Sequence, residues 1–566
     1  MNSLLKKCLT EKKEFKKLLF CSSIFIGLLF IPYTLDNDIW FLLNSGRYIL
    51  IHGIPHMEPF TIHQDFHFVM QQWLSAVIFW KVYASFGPYG LIILLHIVDI
   101  FITYILFRLC MLVSSRNWQI ATIITTVIGV IFIPLFIRTR PQIFSGLLLL
   151  IEIFFLEKYS LTQQKKYLLI LPFLSVLLIN LHAALWPMLF VLMLPFIADA
   201  LLGKLRRLKQ HFPHSTMHFP LSPLLICLCV SFAVGFCNPY GWESMSYLSR
   251  SYGYSEINLL VSEMHPVVIT SLLGKLLFPM LLYITIVYAR KIPPLRYILL
   301  TGGTACMALS ANRSVFLLFL LGVFPLAYVF KNYKLLTFDT PYITPAYKAS
   351  YRLRCGLITL LLFTMSFIFY KQWTILLSKL FALPMAADII LLTAGLLFSI
   401  EFFRFLKKSH RQLSFELITR QIAYFILLLV FTIFIIHEND HYQNPDFVSE
   451  TEPAVNCLLQ DASTDDIRLW TNYNTGNYAE YKGIRCYLDT RADVFLPRNN
   501  WQTDILHEYF QLETSHIYYK DFIKHYHFTH FLTYHDDALY TDLYNDPAYK
   551  LIYSDKNYRL YKSVTP

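Results

Sequence analysis

Two carboxylates, Asp36 and Asp38, follow the first apolar run of the chain immediately, where a membrane-crossing segment would meet water. A partly desolvated carboxylate in such a place can take the proton of a hydroxyl. The competing role is helix capping, because Asp is a favoured residue just ahead of a first helical turn. Glu58 is a third candidate for acid–base work, weighed against a plain turn role before Pro59. Arginines occupy tight turns expected on the same side. Arg138 and Arg140 lie in a short turn between two apolar runs, and Arg313 lies in Ser310-Ala311-Asn312-Arg313-Ser314 between two others. A guanidinium matches phosphate oxygens in a forked manner. Its bland alternative is snorkelling to lipid headgroups. His182, in another tight turn, suits donation to a phosphate or a sugar hydroxyl, or simple burial with a hydrogen bond. Glu243 and Glu263 stand in the longer segment 238–266, whose mix of Tyr and carboxylate suits sugar binding but also any interfacial stretch.

The elements that must position these groups are apolar helices. Of 566 residues, 56% are hydrophobic and only 15% charged, against about 25% charged in soluble domains. A helix needs about 20 apolar residues to cross a membrane. That rule predicts about thirteen spans, near 18–35, 89–112, 118–137, 141–157, 166–181, 184–202, 221–237, 267–289, 295–311, 314–331, 353–370, 383–403 and 417–437. The runs at 141–157 and 166–181 are short, and 166–202 also reads as one kinked helix. The expected fold class is therefore an α-helical polytopic membrane protein. Its membrane domain covers 1–437, and a small C-terminal α/β domain covers 438–566.

Charge sets the orientation. Lys and Arg count 28 in the segments on the N-terminal side of the membrane and 8 in the opposite loops. The positive-inside rule then puts the N-terminus in the cytoplasm and the tail outside. The basic N-terminus lacks a cleavage-site pattern and reads as an uncleaved first span. The net charge of +11 is explained by Lys and Arg beside apolar runs meeting anionic lipid, and no nucleic-acid module is visible. No Walker loop or GxGxxG supports nucleotide use. Cys457 and Cys486 fall in the tail and would be able to pair if it is extracytoplasmic.

The first outer loop, 36–88, reads as two amphipathic runs rather than a linker. The first, 38–51, has an apparent break at Asn44-Ser45-Gly46-Arg47 and suits a short interfacial helix with Trp40 at headgroup level. The second runs from Gln72 to Trp80 and ends at Gly87-Pro88. His52, His56, His63 and His67 form two pairs four apart, but Gly53, Pro55 and Pro59 keep the first pair off the regular helix that a metal site would need. In the tail, strands are expected at 467–470, 485–488, 527–533, 549–553 and 558–561, with helices at 500–510 and 514–526. Asp489-Thr490-Arg491-Ala492-Asp493 follows a strand end, where α/β domains often bind ligands. A salt-bridged turn is the simpler reading.

These residues give a resemblance. The acidic pair after the first span, the interfacial helix of the first loop and the many spans ending in an outer domain resemble the C-type glycosyltransferase superfamily. More closely, the chain resembles its bacterial multispanning members. The matching stretches are Asp38-Ile39-Trp40, Gly46-Arg47-Tyr48-Ile49-Leu50, Gly53-Ile54-Pro55, Glu58-Pro59-Phe60-Thr61 and Gln72-Trp73-Leu74 in the first loop. Later come Arg140-Pro141-Gln142, Asn180-Leu181-His182 and Asn238-Pro239-Tyr240-Gly241-Trp242. Glu58 stands where such proteins often have Asp, and Asn37 separates the two aspartates. The resemblance implies transfer of a sugar from a polyprenyl-phosphate carrier to a glycan, lipid or protein acceptor outside the cell membrane. No cofactor is implied with certainty, and a divalent metal is compatible with the chemistry. A transporter or flippase for lipid-linked glycans is the alternative, as is a glycan polymerase or ligase. A transporter would place ionisable groups at mid-membrane. Here His96, Asp99 and Glu152 are the main ones, and polar groups collect at the outer rim instead.

Overall fold

The computed structural model describes residues 33, 35–202, 219–251, 257–258, 261–333 and 449–564. The expected spans at 353–370, 383–403 and 417–437, and nearly all of 18–35, lie outside the described residues. The stretches 35–332 and 447–566 belong to one compact unit.

Each apolar run expected between 89 and 331 has a helix. Helix α1, Ile39–His52, precedes α2, Trp73–Val113, and α3, Trp118–Thr125, continues irregularly to Phe136. Then come α4 Gln142–Thr162, α5 Ile170–Leu181, α6 Trp186–Leu202, α7 Leu221–Ala233, α8 Leu272–Arg290 and α9 Leu295–Ser310. A last helical run covers Asn312–Val329. Five of these helical runs among the described residues are long and apolar enough to cross a membrane. Helix α4 has 21 residues, about 31 Å at 1.5 Å per residue, so it is not the short span expected. Helices α5 and α6 form a hairpin rather than one kinked rod. Trp186 donates its indole N–H to the Ser175 hydroxyl at 2.8 Å, whereas eleven residues of continuous helix would separate them by about 16 Å.

Helix α1 is the short helix expected, and it runs unbroken through Asn44-Ser45-Gly46-Arg47, where the apolar residues are interrupted. The polar residues there bind neighbours. Asn44 donates to the Glu480 carbonyl at 3.1 Å and Arg47 to that of Tyr481 at 2.8 Å. Gly46 lets α1 touch α2, because a Cβ at that position would lie 2.2 Å from the Ala76 carbonyl oxygen. Trp40 packs on Tyr478 and Tyr481. Thus α1 is sandwiched between α2 and the C-terminal segment, and only its last turn (Leu50, Ile51) is exposed. Helix α2 changes direction at Gly87, whose φ is +64°, a left-handed conformation that glycine adopts without penalty.

The C-terminal segment contains helices α10 Glu452–Asp461, α11 Gly476–Tyr481, α12 Ile505–Glu513 and α13 Tyr519–Tyr526. Its strands are β1 Arg468–Thr471, β2 Arg485–Cys486, β3 His530–Tyr534, β4 Tyr549–Ser554 and β5 Tyr558–Ser563, in the order β2-β1-β3-β5-β4. Strands β1, β2 and β3 are parallel, and β5 is antiparallel to β3 and β4. This is the small α/β sheet expected. Cys457 and Cys486 are both free thiols. Cys486 is buried with its sulfur on the Gly476 and Ile484 carbonyls, while Cys457 lies against the Ile552 carbonyl.

Candidate active site

The group is built where three chain segments end together. Asp36 and Asp38 precede α1, and Asp36 Oδ1 accepts the Asp38 backbone N–H at 3.1 Å. Opposite is the turn between α3 and α4, which Pro141 closes by opening the next helix. Thr139 in that turn is buried, and its hydroxyl accepts the Asp36 backbone N–H at 3.1 Å. The flanking side chains, Arg138 and Arg140, therefore face the acidic pair.

Arg140 fans across three carboxylates. Its Nε lies 3.0 Å from Asp38, Nη2 3.1 Å from Asp36 and Nη1 2.8 Å from Glu263. Arg138 adds a 3.3 Å ion pair to Asp36. Only a guanidinium can serve three separate acceptors from one planar head. Glu263 sits in a 3-10 turn, Ser262–Met264. That segment is tied to the Arg313 turn by the Asn312 N–H, which donates to the His265 carbonyl at 2.9 Å. Arg313 lies close enough for its charge to act on Arg140 and on His182. His182 shares a 2.8 Å hydrogen bond with Ser145. Burial, with Arg313 adding, lowers it to about 3 and keeps it neutral.

The two aspartates, so close in sequence, are driven apart electrically. Burial works against the charge on Asp36, but Arg140 and Arg138 outweigh it and hold the carboxyl below its usual range. Burial raises Asp38 to about 6, with Arg140 opposing and the Asp36 charge adding to the rise. The arginines thus favour the charged form of one carboxylate while burial raises the other to about 6, a division that acid–base chemistry can use.

The C-terminal segment closes over the same place with the loops that follow β1 and β2. Asn37 donates to the Asn474 carbonyl at 2.9 Å, and Asn477 donates to the Asn37 carbonyl at 3.3 Å. The Thr490 hydroxyl donates to the Asn477 side-chain oxygen at 3.1 Å. Tyr473, whose hydroxyl donates to the Thr490 carbonyl at 2.9 Å, feels the charges of Asp38, Asp493 and Arg140. Of these contributors, Tyr473 and Asn477 were not singled out in the sequence, whereas Thr490 belongs to the 489–493 run named there. Their signal was the Asn474-Thr475-Gly476 turn and the 489–493 run, both directly after parallel strands, where α/β ligands gather.

Two expected residues stand elsewhere. Glu58 is fully buried and held by Arg491, with Nη1 at 2.8 Å. The same guanidinium contacts Asp489 at 2.5 Å and Glu480 at 3.2 Å. Burial raises the Glu58 carboxyl, and the neighbouring Asp489 charge adds to the effect while Arg491 opposes it. This is the salt-bridged turn considered for 489–493, extended to bolt the first loop to the tail. Glu243 pairs with His67 at 3.0 Å, and His67 stacks on Trp501 at 3.7 Å. Among the described residues, no group of three or more His, Cys, Asp or Glu side chains is arranged to hold a metal ion.

No protein-family model matches the chain, and no curated protein matches it. Among solved structures it is similar to ArnT from Cupriavidus metallidurans in the apo state, with 11% identity over 98% of both chains and a TM-score of 0.47. It is also similar to the same enzyme bound to undecaprenyl phosphate, with 10% identity over 98% of both chains and a TM-score of 0.44. The Archaeoglobus fulgidus oligosaccharyltransferase, tethered to an acceptor peptide, aligns with 10% identity over 92% of this chain and 69% of its own, with a TM-score of 0.52. The chain thus shares the fold of that oligosaccharyltransferase.

Proposed function

We propose that this chain is a membrane glycosyltransferase that moves a sugar from a polyprenyl-phosphate donor to an acceptor hydroxyl or amide outside the cell membrane. The observation that carries the reading is Arg140 joining Asp36, Asp38 and Glu263, with one aspartate held charged and the other raised to about 6. Asp38 is the base. It takes the acceptor's proton as the acceptor atom bonds to the anomeric carbon. The bond from that carbon to the phosphate oxygen breaks, and its electron pair leaves with the polyprenyl phosphate. Arg138, Arg140 and Arg313 supply positive charge for the leaving phosphate. Preset charge of this kind acts without reorganisation during the reaction. Asp36 keeps the arginines aimed, and His182 serves as a neutral donor. We assign Glu58 to anchoring rather than to chemistry, and Glu243 to the His67 contact. The fold shared with an oligosaccharyltransferase is in keeping with glycan transfer. The N-terminus is cytoplasmic and the C-terminal segment external in this reading.

Transport of a lipid-linked glycan is the competing function. The carboxylates and arginines stand in turns at helix ends, which favours chemistry at a membrane surface over passage through it. The deciding experiment replaces both Asp36 and Asp38 by Asn in cells and analyses the envelope glycans by mass spectrometry. A missing sugar, with its polyprenyl-phosphate donor accumulating on the outer leaflet, is expected. A complete glycan would sink the assignment, and donor retained on the inner leaflet would favour a flippase.

A further inference from the structure

We infer that the open indole face of Trp501, beside the Glu243 carboxylate, is a sugar-binding platform, and that the acceptor of this chain is accordingly a glycan. The inference rests on the transferase reading and narrows its acceptor. Trp501 ends the short helix Pro497–Asn500 with φ +63°, a left-handed conformation that strains a bulky residue and that glycine adopts freely. Burial does not account for that strain, because Trp501 is 63% exposed. One face of the indole is taken by His67, with ring centroids 3.7 Å apart and planes 6° from parallel. Exposure of that extent leaves the opposite face open. His67 is held in turn by Glu243, Nε2 to Oε2 at 3.0 Å, and its backbone N–H donates to the Asn500 carbonyl at 3.1 Å. The Gln502 side chain donates to the Asp65 carbonyl at 2.7 Å. The ring is thus fixed from behind before a ligand arrives, which lowers the cost of binding.

The chemistry of the two groups selects a sugar. An aromatic face is electron-rich and draws the C–H face of a pyranose ring, while a carboxylate accepts from hydroxyls. Glu243 is 34% exposed, and with Oε2 engaged by His67 its Oε1 remains to accept. Arg250 braces it, donating from Nη2 to the Glu243 carbonyl at 2.7 Å. The surroundings argue against a lipid surface. The exposed neighbours of Trp501 in the chain are polar, namely Arg498, Gln502 and Thr503. Trp242, by contrast, is 58% exposed beside Phe236, itself 52% exposed, the apolar pairing that suits a membrane interface. The platform is tied to the reaction site through segment 490–501. Thr490 at its start pairs with Asn477, which reaches the Asn37 carbonyl, and Tyr247 donates its hydroxyl to Asp493 within it. Even fully extended, that segment spans about 40 Å. A glycan of several rings can therefore rest on Trp501 while its terminal hydroxyl reaches Asp38.

The test reads binding without turnover. The probe is the envelope glycan released from cells that carry Asp36→Asn together with Asp38→Asn, and saturation-transfer NMR on the purified full chain in detergent shows which of its ring hydrogens touch the protein. Trp501→Gly suits the left-handed backbone and removes only the ring. It should weaken binding roughly fivefold to tenfold, the worth of one aromatic contact, and Trp501→Tyr should keep most of the affinity. In membrane preparations Trp501→Gly should raise the acceptor KM by a similar factor and move kcat far less. Unchanged binding in Trp501→Gly, or no saturation of the glycan by the unaltered chain, overturns the platform. The lipid alternative has its own readout. The fluorescence that Trp501→Phe removes should persist in vesicles of brominated phosphatidylcholine, and its quenching there would seat the ring in the membrane and overturn the proposal. Failure of the transferase reading is separately visible. A complete glycan in the doubly substituted cells, beside binding lost in Trp501→Gly, removes the transfer and leaves a glycan-binding surface.

Discussion

Asp36 and Asp38 carry the same functional group two residues apart, yet their surroundings shift them in opposite directions. The difference lies in how many cations each meets. Asp36 has two guanidinium groups at 3.3 Å or closer, whereas Asp38 shares one of them and bears the repulsion of Asp36. A base must be unprotonated to act, so transfer should rise with pH through about 6, the value to which Asp38 is raised. Asp38→Asn should lower the transfer rate by roughly 10²–10⁴-fold, the usual worth of a general base. Asp36→Asn has a signed signature. It removes a negative neighbour and leaves Arg140 more fully to Asp38, so the acid limb should move to lower pH even as the maximum rate falls. Sugar transfer in membrane preparations, followed against pH with a polyprenyl-phosphate sugar, checks both. An acid limb moving upward in Asp36→Asn would show that the pair is not coupled in this sense.

At the scale of elements, the helices were legible in the sequence because apolar length is a strong signal and each run had to bury or meet lipid. The five strands of the tail were legible from their alternation and turns. The partners of the polar residues were not. Arg296 reads in sequence as a cytoplasmic topology signal, but it is buried, with Glu157 at 2.9 Å and Asp199 at 2.7 Å joining α9, α4 and α6. Asn44 and Arg47 read only as an interruption of the apolar pattern because their acceptors lie more than four hundred residues away in the chain. Pairings at such separation leave no local pattern. The Asp36–Arg140 meeting was legible only as a shared side of the membrane, and Thr490 as a position after a strand. Two predictions belong here. Gly46→Ala places a methyl against the Ala76 backbone, so α1 must lift from α2, with a cost of about 1–3 kcal/mol. Thermal unfolding in detergent should show the loss, and transfer should fall too, because Asp38 begins that helix. A normal melting temperature would mean that α1 adjusts freely. Arg491→Met should be harsher, since it strands three buried carboxylates around an apolar side chain. Breaking a buried ion pair on one side costs about 3–5 kcal/mol, and Glu58→Gln, which keeps the cation partnered by Asp489 and Glu480, should cost less. Equal melting temperatures for the two variants would deny the knot its anchoring role.

For the molecule as a whole, the tail and the segment 37–58 around α1 are bound by a buried ion knot, two backbone-directed amides and an edge-on aromatic pair. A protein built this way needs both parts on one side of the bilayer. The charge asymmetry of the loops leads us to expect that side outside, with thirteen spans, an odd number, bringing the tail there from a cytoplasmic N-terminus. One span fewer would put the tail inside and separate it from the loop it grips, unless the first loop were inside too. The arrangement can therefore be tested at a single position. Asp536 is highly exposed, with 81% of its side chain open, and Asp536→Cys should react with a membrane-impermeant maleimide in right-side-out vesicles. Lys204→Cys, in the basic segment 203–209, should react only after the vesicles are opened. Protection of Asp536→Cys in sealed vesicles, with Lys204→Cys accessible, would invert the topology, and the carboxylate–guanidinium group would then face the cytoplasm, where a donor need not have crossed the membrane at all.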